Sequence, residues 1–147
     1  MANDFALFNR EPIYAALFAK LQVASGFVTT SRRLLHWADV DPTSQPAMFM
    51  AQGAQVCDPQ PRGLPSVWHL QAKVYVYAQT QDTDNPGTII NPILDAIATA
   101  LQPNAIENAQ TLGGLVTWCR IEGTIETDEG TLGNQLVAII PINMLVS

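Results

Sequence analysis

Residues Val67 to Ala78 alternate with period two, and few structures other than a β-strand accept that pattern. Trp68, Leu70, Ala72, Val74, Val76 and Ala78 fall on one side, and His69, Gln71, Lys73, Tyr75 and Tyr77 on the other. Near the end of the chain Leu136, Ala138, Ile140, Ile142 and Met144 form one face of a second long strand, expected over about 132–145. Its opposite face carries Val137, Ile139 and Pro141, so it is apolar too. A strand apolar on both sides is expected to be buried on both sides. A strand over about 115–126 precedes it, and Thr127-Asp-Glu-Gly130 supplies the glycine of a hairpin connection.

Helical periodicity occurs twice. Ile13, Tyr14, Leu17, Phe18 and Leu21 recur at spacings of three and four and predict a helix over 10–25. Asn9 suits its cap, Pro12 its first turn and Gly26 its end, while residues 4–8 extend it backwards. Ile93, Leu94, Ile97, Ala98 and Leu101 predict a second helix from Pro92 to Gln102, capped by Asn91 and ended by Pro103. Between the helices, the second half of Phe27–Trp37 reads as a short strand and Ala47–Gln52 as another. Gly53, Pro59, Pro61, Gly63 and Pro65 mark a long loop over 53–66, and loops of that length commonly reach a neighbour. Residues 79–88 form a polar loop. The order predicts one α+β unit spanning 1–147, a mostly antiparallel sheet with two helices packed on one face.

Composition narrows the function classes. Charged residues are 14% of the 147 and hydrophobic residues 48%, whereas ordinary domains carry about 25% charged residues. So sparse a charge complement points to a surface covered by other subunits. A membrane is not the expected cover, because no run of about 18 apolar residues occurs. The N-terminus does not read as a secretion signal, since Asp4, Arg10, Glu11 and Lys20 interrupt it. A net charge of −6 argues against a protein that grips phosphates and suits a surface that DNA slides past.

No chemistry-bearing motif emerges. Cys57, Cys119, His36 and His69 lack metal-site spacing, and the two cysteines are read as reduced. Ser31 and Ser66 have no nucleophile elbow, and Gly113-Gly114 precedes a strand, as a turn or bulge does and a phosphate loop does not. No cofactor, metal or catalytic residue is expected. Two charged groups remain. Arg32 and Arg33 sit among β-branched and leucine residues, either to meet acids of a neighbouring subunit or to protect an exposed strand edge. Glu122, Glu126, Asp128 and Glu129 cluster on the last hairpin, as the lining of a DNA conduit, as the anionic side of a subunit contact, or as a solvated tip.

The ensemble of segments resembles the tail-terminator (tail-completion) family of tailed phages. The residues that carry the resemblance are Arg10-Glu-Pro-Ile-Tyr-Ala-Ala-Leu-Phe18, Thr30-Ser-Arg-Arg-Leu34 with Trp37, Gln45-Pro46-Ala47, Arg62-Gly-Leu-Pro65 and Trp68. Ile90-Asn-Pro-Ile-Leu-Asp-Ala-Ile97, Gln110-Thr-Leu-Gly-Gly-Leu-Val116 and Ile121-Glu-Gly-Thr-Ile-Glu-Thr-Asp-Glu-Gly130 continue it along nearly the whole chain. The specificity lies in their order. The resemblance implies a virion protein, assembled in the host cytoplasm, that forms a ring, usually a hexamer. Such a ring ends the tail tube and joins it to the head–neck connector, and genomic DNA passes through its lumen without specific binding. The family has no catalytic residues. Another neck or stopper protein, or a tail-tube subunit, is the alternative.

Overall fold

The computed structural model of the chain describes residues 8–81 and 85–147. Residues 4–7 of the backward helix extension and 82–84 of the polar loop lie outside them. The elements run α1 (Arg10–Gln22), β1 (Thr29–Ser31), β2 (Ala47–Asp58), β3 (Val67–Gln79), α2 (Gly87–Ala100), β4 (Trp118–Ile121), β5 (Glu126–Asp128) and β6 (Gln135–Val146). They form one six-stranded sheet of order β1-β2-β3-β6-β4, with β5 also paired to β6. Only the β1–β2 pair is parallel. The fold is therefore α+β with a mostly antiparallel sheet.

Alternation decides the core. The even-numbered residues of β3 and β6 face the helices: Leu70, Ala72, Val74 and Val76 join Leu136, Ala138, Ile140, Ile142 and Met144. The helices reply with Ile13, Tyr14, Leu17 and Leu21 from α1 and Ile90, Ile93 and Ile97 from α2. Both stripes follow the helical repeat. Leu17, Leu21, Leu70, Val74, Ile97 and Ile140 are all fully buried.

Several boundaries differ from the sequence expectation, each for a local reason. Asn9 holds the cap position of α1 without a side-chain hydrogen bond there, and the helix stops at Gln22, before the exposed Val23 and well before Gly26. The short strand is the first half of 27–37, not the second. Thr29–Ser31 pair with Ala47–Phe49, after which the chain leaves the sheet as two short 3-10 turns, Trp37–Asp39 and Pro42–Ser44. β2 continues through Gly53 to Asp58, so the connection to β3 spans only 59–66. The glycine sits in a bulge where residues 53 and 54 oppose Gln71. A Cβ on Gly53 would lie 3.2 Å from Gln71 Cβ. Tyr14 Oη donates to the Gln71 carbonyl at 3.0 Å, an acceptor beside the disturbed ladder.

α2 begins at Gly87, so Asn91 and Pro92 lie within it and Asn91 is not its cap. Thr88 and Ile89 donate their N–H groups to Asn85 and Pro86 carbonyls, and burial of Ile90 holds this extra turn in place. The expected strand over 115–126 is broken into β4 and β5. Gly123 takes φ +116 between them, and a Cβ there would stand 3.2 Å from Pro141 Cγ. Thr127 and Asp128 belong to β5, and the hairpin connection is 129–134.

The expectation that β6 is buried on both faces fails within this chain. Val137, Ile139, Pro141 and Leu145 are only half-buried. What lies over that face is the crossover from β1 to β2, residues 32–46, and it covers one end alone. Val40 packs there with Ala47, Phe49 and Tyr77, and Trp37 lies against them. A reciprocal amide pair pins the crossover: Gln45 Nε2 donates to Gln135 Oε1 at 3.0 Å and Gln135 Nε2 to Gln45 Oε1 at 2.9 Å. Both residues are buried, where such bonds replace lost water.

Candidate functional site

The sheet face away from the helices holds the groups with unmet or specialised contacts. Strand register arranges them in rows. Next to the crossover stand Ala47, Tyr77, Val137 and Asp128, then Phe49, Tyr75, Ile139 and Glu126. Ala51, Lys73 and Pro141 follow, then Gln71, Asn143 and Arg120, and last Val56, His69, Leu145 and Trp118. The face is apolar near the crossover and most polar in the Gln71–Asn143–Arg120 row toward the far end.

At the polar end Glu122 is the centre of a hydrogen-bonded group. Arg120 donates to its Oε1 from Nε at 3.0 Å and from Nη2 at 2.6 Å, and Asn143 Nδ2 donates to Oε2. These donors, Asn143 first and Arg120 second, hold the Glu122 carboxyl below its ordinary range. The Arg120 guanidinium stacks 3.8 Å from the centre of the Trp118 ring, and His69 meets the same ring edge-on at 6.1 Å. Asn143 is 8% exposed, and among the described residues its Oδ1 has no hydrogen-bond partner. A cavity of about 410 Å³ adjoins the group, between Gly53, Gln71, Lys73, Tyr75 and Asn143. The arrangement fixes one ionised carboxylate and screens it with a stacked cation. Neither a serine nor a thiol takes part in it. Among the described residues no group of three His, Cys, Asp or Glu side chains is placed to hold a metal ion.

At the apolar end a groove of about 450 Å³ runs between Trp37 and the β5–β6 hairpin. Leu132, Val137 and Ile139 line it together with Glu126, Thr127 and Asp128. Beside it, Tyr77 Oη donates to the Leu35 carbonyl at 2.6 Å, and burial pushes the Tyr77 hydroxyl up to about 12.

The charged residues singled out from sequence separate in space. Arg32 does not wait for a neighbour's acid: it forms a two-armed ion pair with Glu11 on α1 and reaches Gln52 at 3.4 Å. That pairing lowers the Glu11 carboxyl. Arg33 is exposed, and among the described residues it has no ion-pair partner. The four acids are not one cluster. Glu122 belongs to the Arg120–Asn143 group, and Glu126 is exposed on β5. Asp128 Oδ1 accepts from the N–H groups of Gly130 at 3.4 Å and Thr131 at 3.1 Å. The Glu129 carboxylate faces the first turn of α2, 3.5 Å from where a Cβ of Gly87 would stand, a favourable place for negative charge. Sequence reasoning missed Arg120, Trp118 and Asn143. The available signal was Asn143 itself, a lone amide in an otherwise apolar strand.

Both cysteines are free thiols; Cys57 is exposed, and burial pushes the Cys119 thiol up to about 12. No helix among the described residues is long and apolar enough to cross a membrane. Neither a protein-family model nor a curated protein matches the chain.

Proposed function

We propose that this chain is a structural virion subunit, without catalytic activity, that assembles into a ring ending a phage tail tube and joining it to the head–neck connector. The observation that carries the reading is the half-covered β6. Its helix-side residues are buried, while Val137, Ile139, Pro141 and Leu145 on the other side are apolar and remain half-exposed. An apolar sheet face left open by its own chain is what a subunit contact uses. The low charge content and the segment-by-segment resemblance to tail terminators support the same reading. The net charge of −6 fits a lumen that passes DNA without gripping it.

Light scattering after gel filtration, with negative-stain images of the same sample, tests the proposal. Single closed rings, alone or at the end of purified tail tubes, are expected. Long cylinders would reassign the chain to a tube subunit. A monomer at every concentration, unable to cap tubes, would remove the ring altogether.

A further inference from the structure

The apolar groove and the segment Arg33–Leu35 have complementary features. Leu34 and Leu35 are 41% and 38% exposed. They lie outside their own chain's groove, which Trp37, Leu132, Val137 and Ile139 line. The hydrogen bond from Tyr77 to the Leu35 carbonyl fixes the segment against the sheet, so little ordering is needed when it meets a partner. Arg33 precedes the leucines as an exposed cation. Glu126 and Asp128 also line the groove, and among the described residues neither has a basic partner. Apolar side chains led by a cation thus match a groove lined by both apolar side chains and acids.

We infer that Arg33, Leu34 and Leu35 of one copy dock into the Trp37–Ile139 groove of the next, with Arg33 facing Glu126. The inference rests on the ring proposed above and names its contact. The two patches differ, so the contact is head-to-tail, the type that makes a ring when the rotation between neighbours closes and a filament when it does not. The charge pair sets orientation and partner choice, and the leucines and the groove residues supply the buried apolar area. Arg32 stays out of the contact because Glu11 already holds it. Glu122 stays out because Arg120 and Asn143 hold it.

Single charge reversals test this. Arg33→Glu and Glu126→Lys should each weaken self-association at least about tenfold, since each sets like charges against each other. The double variant Arg33→Glu/Glu126→Lys should recover association. So should an equimolar mixture of the two single variants, because each then meets a complementary neighbour. A mixture cannot rescue misfolded chains, so its recovery separates a contact defect from a folding defect. Rings that form normally from either single variant would overturn the docking while leaving the ring proposal intact. Failure of both the mixture and the double variant to recover would overturn it too. A wild-type chain that stays monomeric would overturn the ring and the docking together.

Discussion

The two faces of one sheet follow different rules in this chain. On the helix side, Leu70, Val74, Ile140 and Met144 meet Leu17, Leu21 and Ile97, and every one is fully buried. On the other side, Ile139 and Val137 come from the same strand as Ile140 and are as apolar, yet stay half-exposed. The difference is in the cover. Two helices, each with one buried stripe, cover the first face, whereas the second has only the 32–46 crossover at one end. A pattern of apolar residues therefore marks which groups favour burial, and the chain's own elements determine how much of that burial the chain itself achieves.

The open face is broken by charge reversal on the hairpin. Replacing Glu126, Asp128 and Glu129 together by Lys should abolish rings in gel filtration and negative stain if the proposed docking holds, because Glu126 and Asp128 line that groove. Rings that assemble but retain DNA would place the hairpin in the lumen, since Lys binds phosphates. Normal assembly and infection by the triple variant would leave the hairpin a solvated tip. Asp128 also holds the turn through Gly130 and Thr131, so thermal unfolding of the variant is measured alongside.

The covered face is sharpened by truncation. Leu17→Ala or Ile140→Ala removes a fully buried side chain and should cost about 2–5 kcal/mol in denaturant unfolding. Ile139→Ala, one residue along β6 and half-exposed, should cost the monomer about 1 kcal/mol or less while impairing association. Equal losses at 139 and 140 would erase the distinction between the faces.

A smaller effect is expected where α1 meets the bulge. Tyr14→Phe keeps the ring in the core but leaves the Gln71 carbonyl without the hydroxyl that donates to it at 3.0 Å. A loss of about 1–3 kcal/mol is expected for such an unpaired acceptor. A neutral substitution would show that the carbonyl finds water instead.

Legibility in the sequence followed the same division. The helix-facing stripes and the period-two strands were readable because local spacing alone puts those residues on one side. Gly53 reads as a breaker because a bulge glycine and a loop glycine look alike until the partner strand, here at Gln71, is known. Pro92 reads as a helix start because its fixed φ suits that position, whereas burial of Ile90 extends α2 backwards past it. The site was less legible still. Glu122, Glu126, Asp128 and Glu129 are neighbours in sequence, but the break at Gly123 and the register of β6 send them to different partners. Arg120, Asn143 and Trp118 come together only through pairing of β4 with β6.

The least perturbing probe of the open face is acid. Asn143 and Arg120 hold the Glu122 carboxyl below its ordinary value of 4.5, so the fold favours its ionised form. A carboxylate lowered in this way contributes its full stabilisation above the unfolded pKa and loses it as pH falls through the folded value. Wild-type and Glu122→Gln proteins should therefore differ in Tm by a constant amount near neutral pH. The difference should shrink as the pH falls below about 4.5 and vanish at the acid end. The Glu122 carboxylate is well exposed, so solvent screens the interaction and the effect is small. Glu11 is lowered in the same direction by Arg32, so some acid sensitivity persists in the Gln variant. Curves for the two proteins that stay parallel down to about pH 3 would mean that Arg120 and Asn143 do not stabilise this carboxylate, and the polar end of the open face would then be ordinary solvated surface.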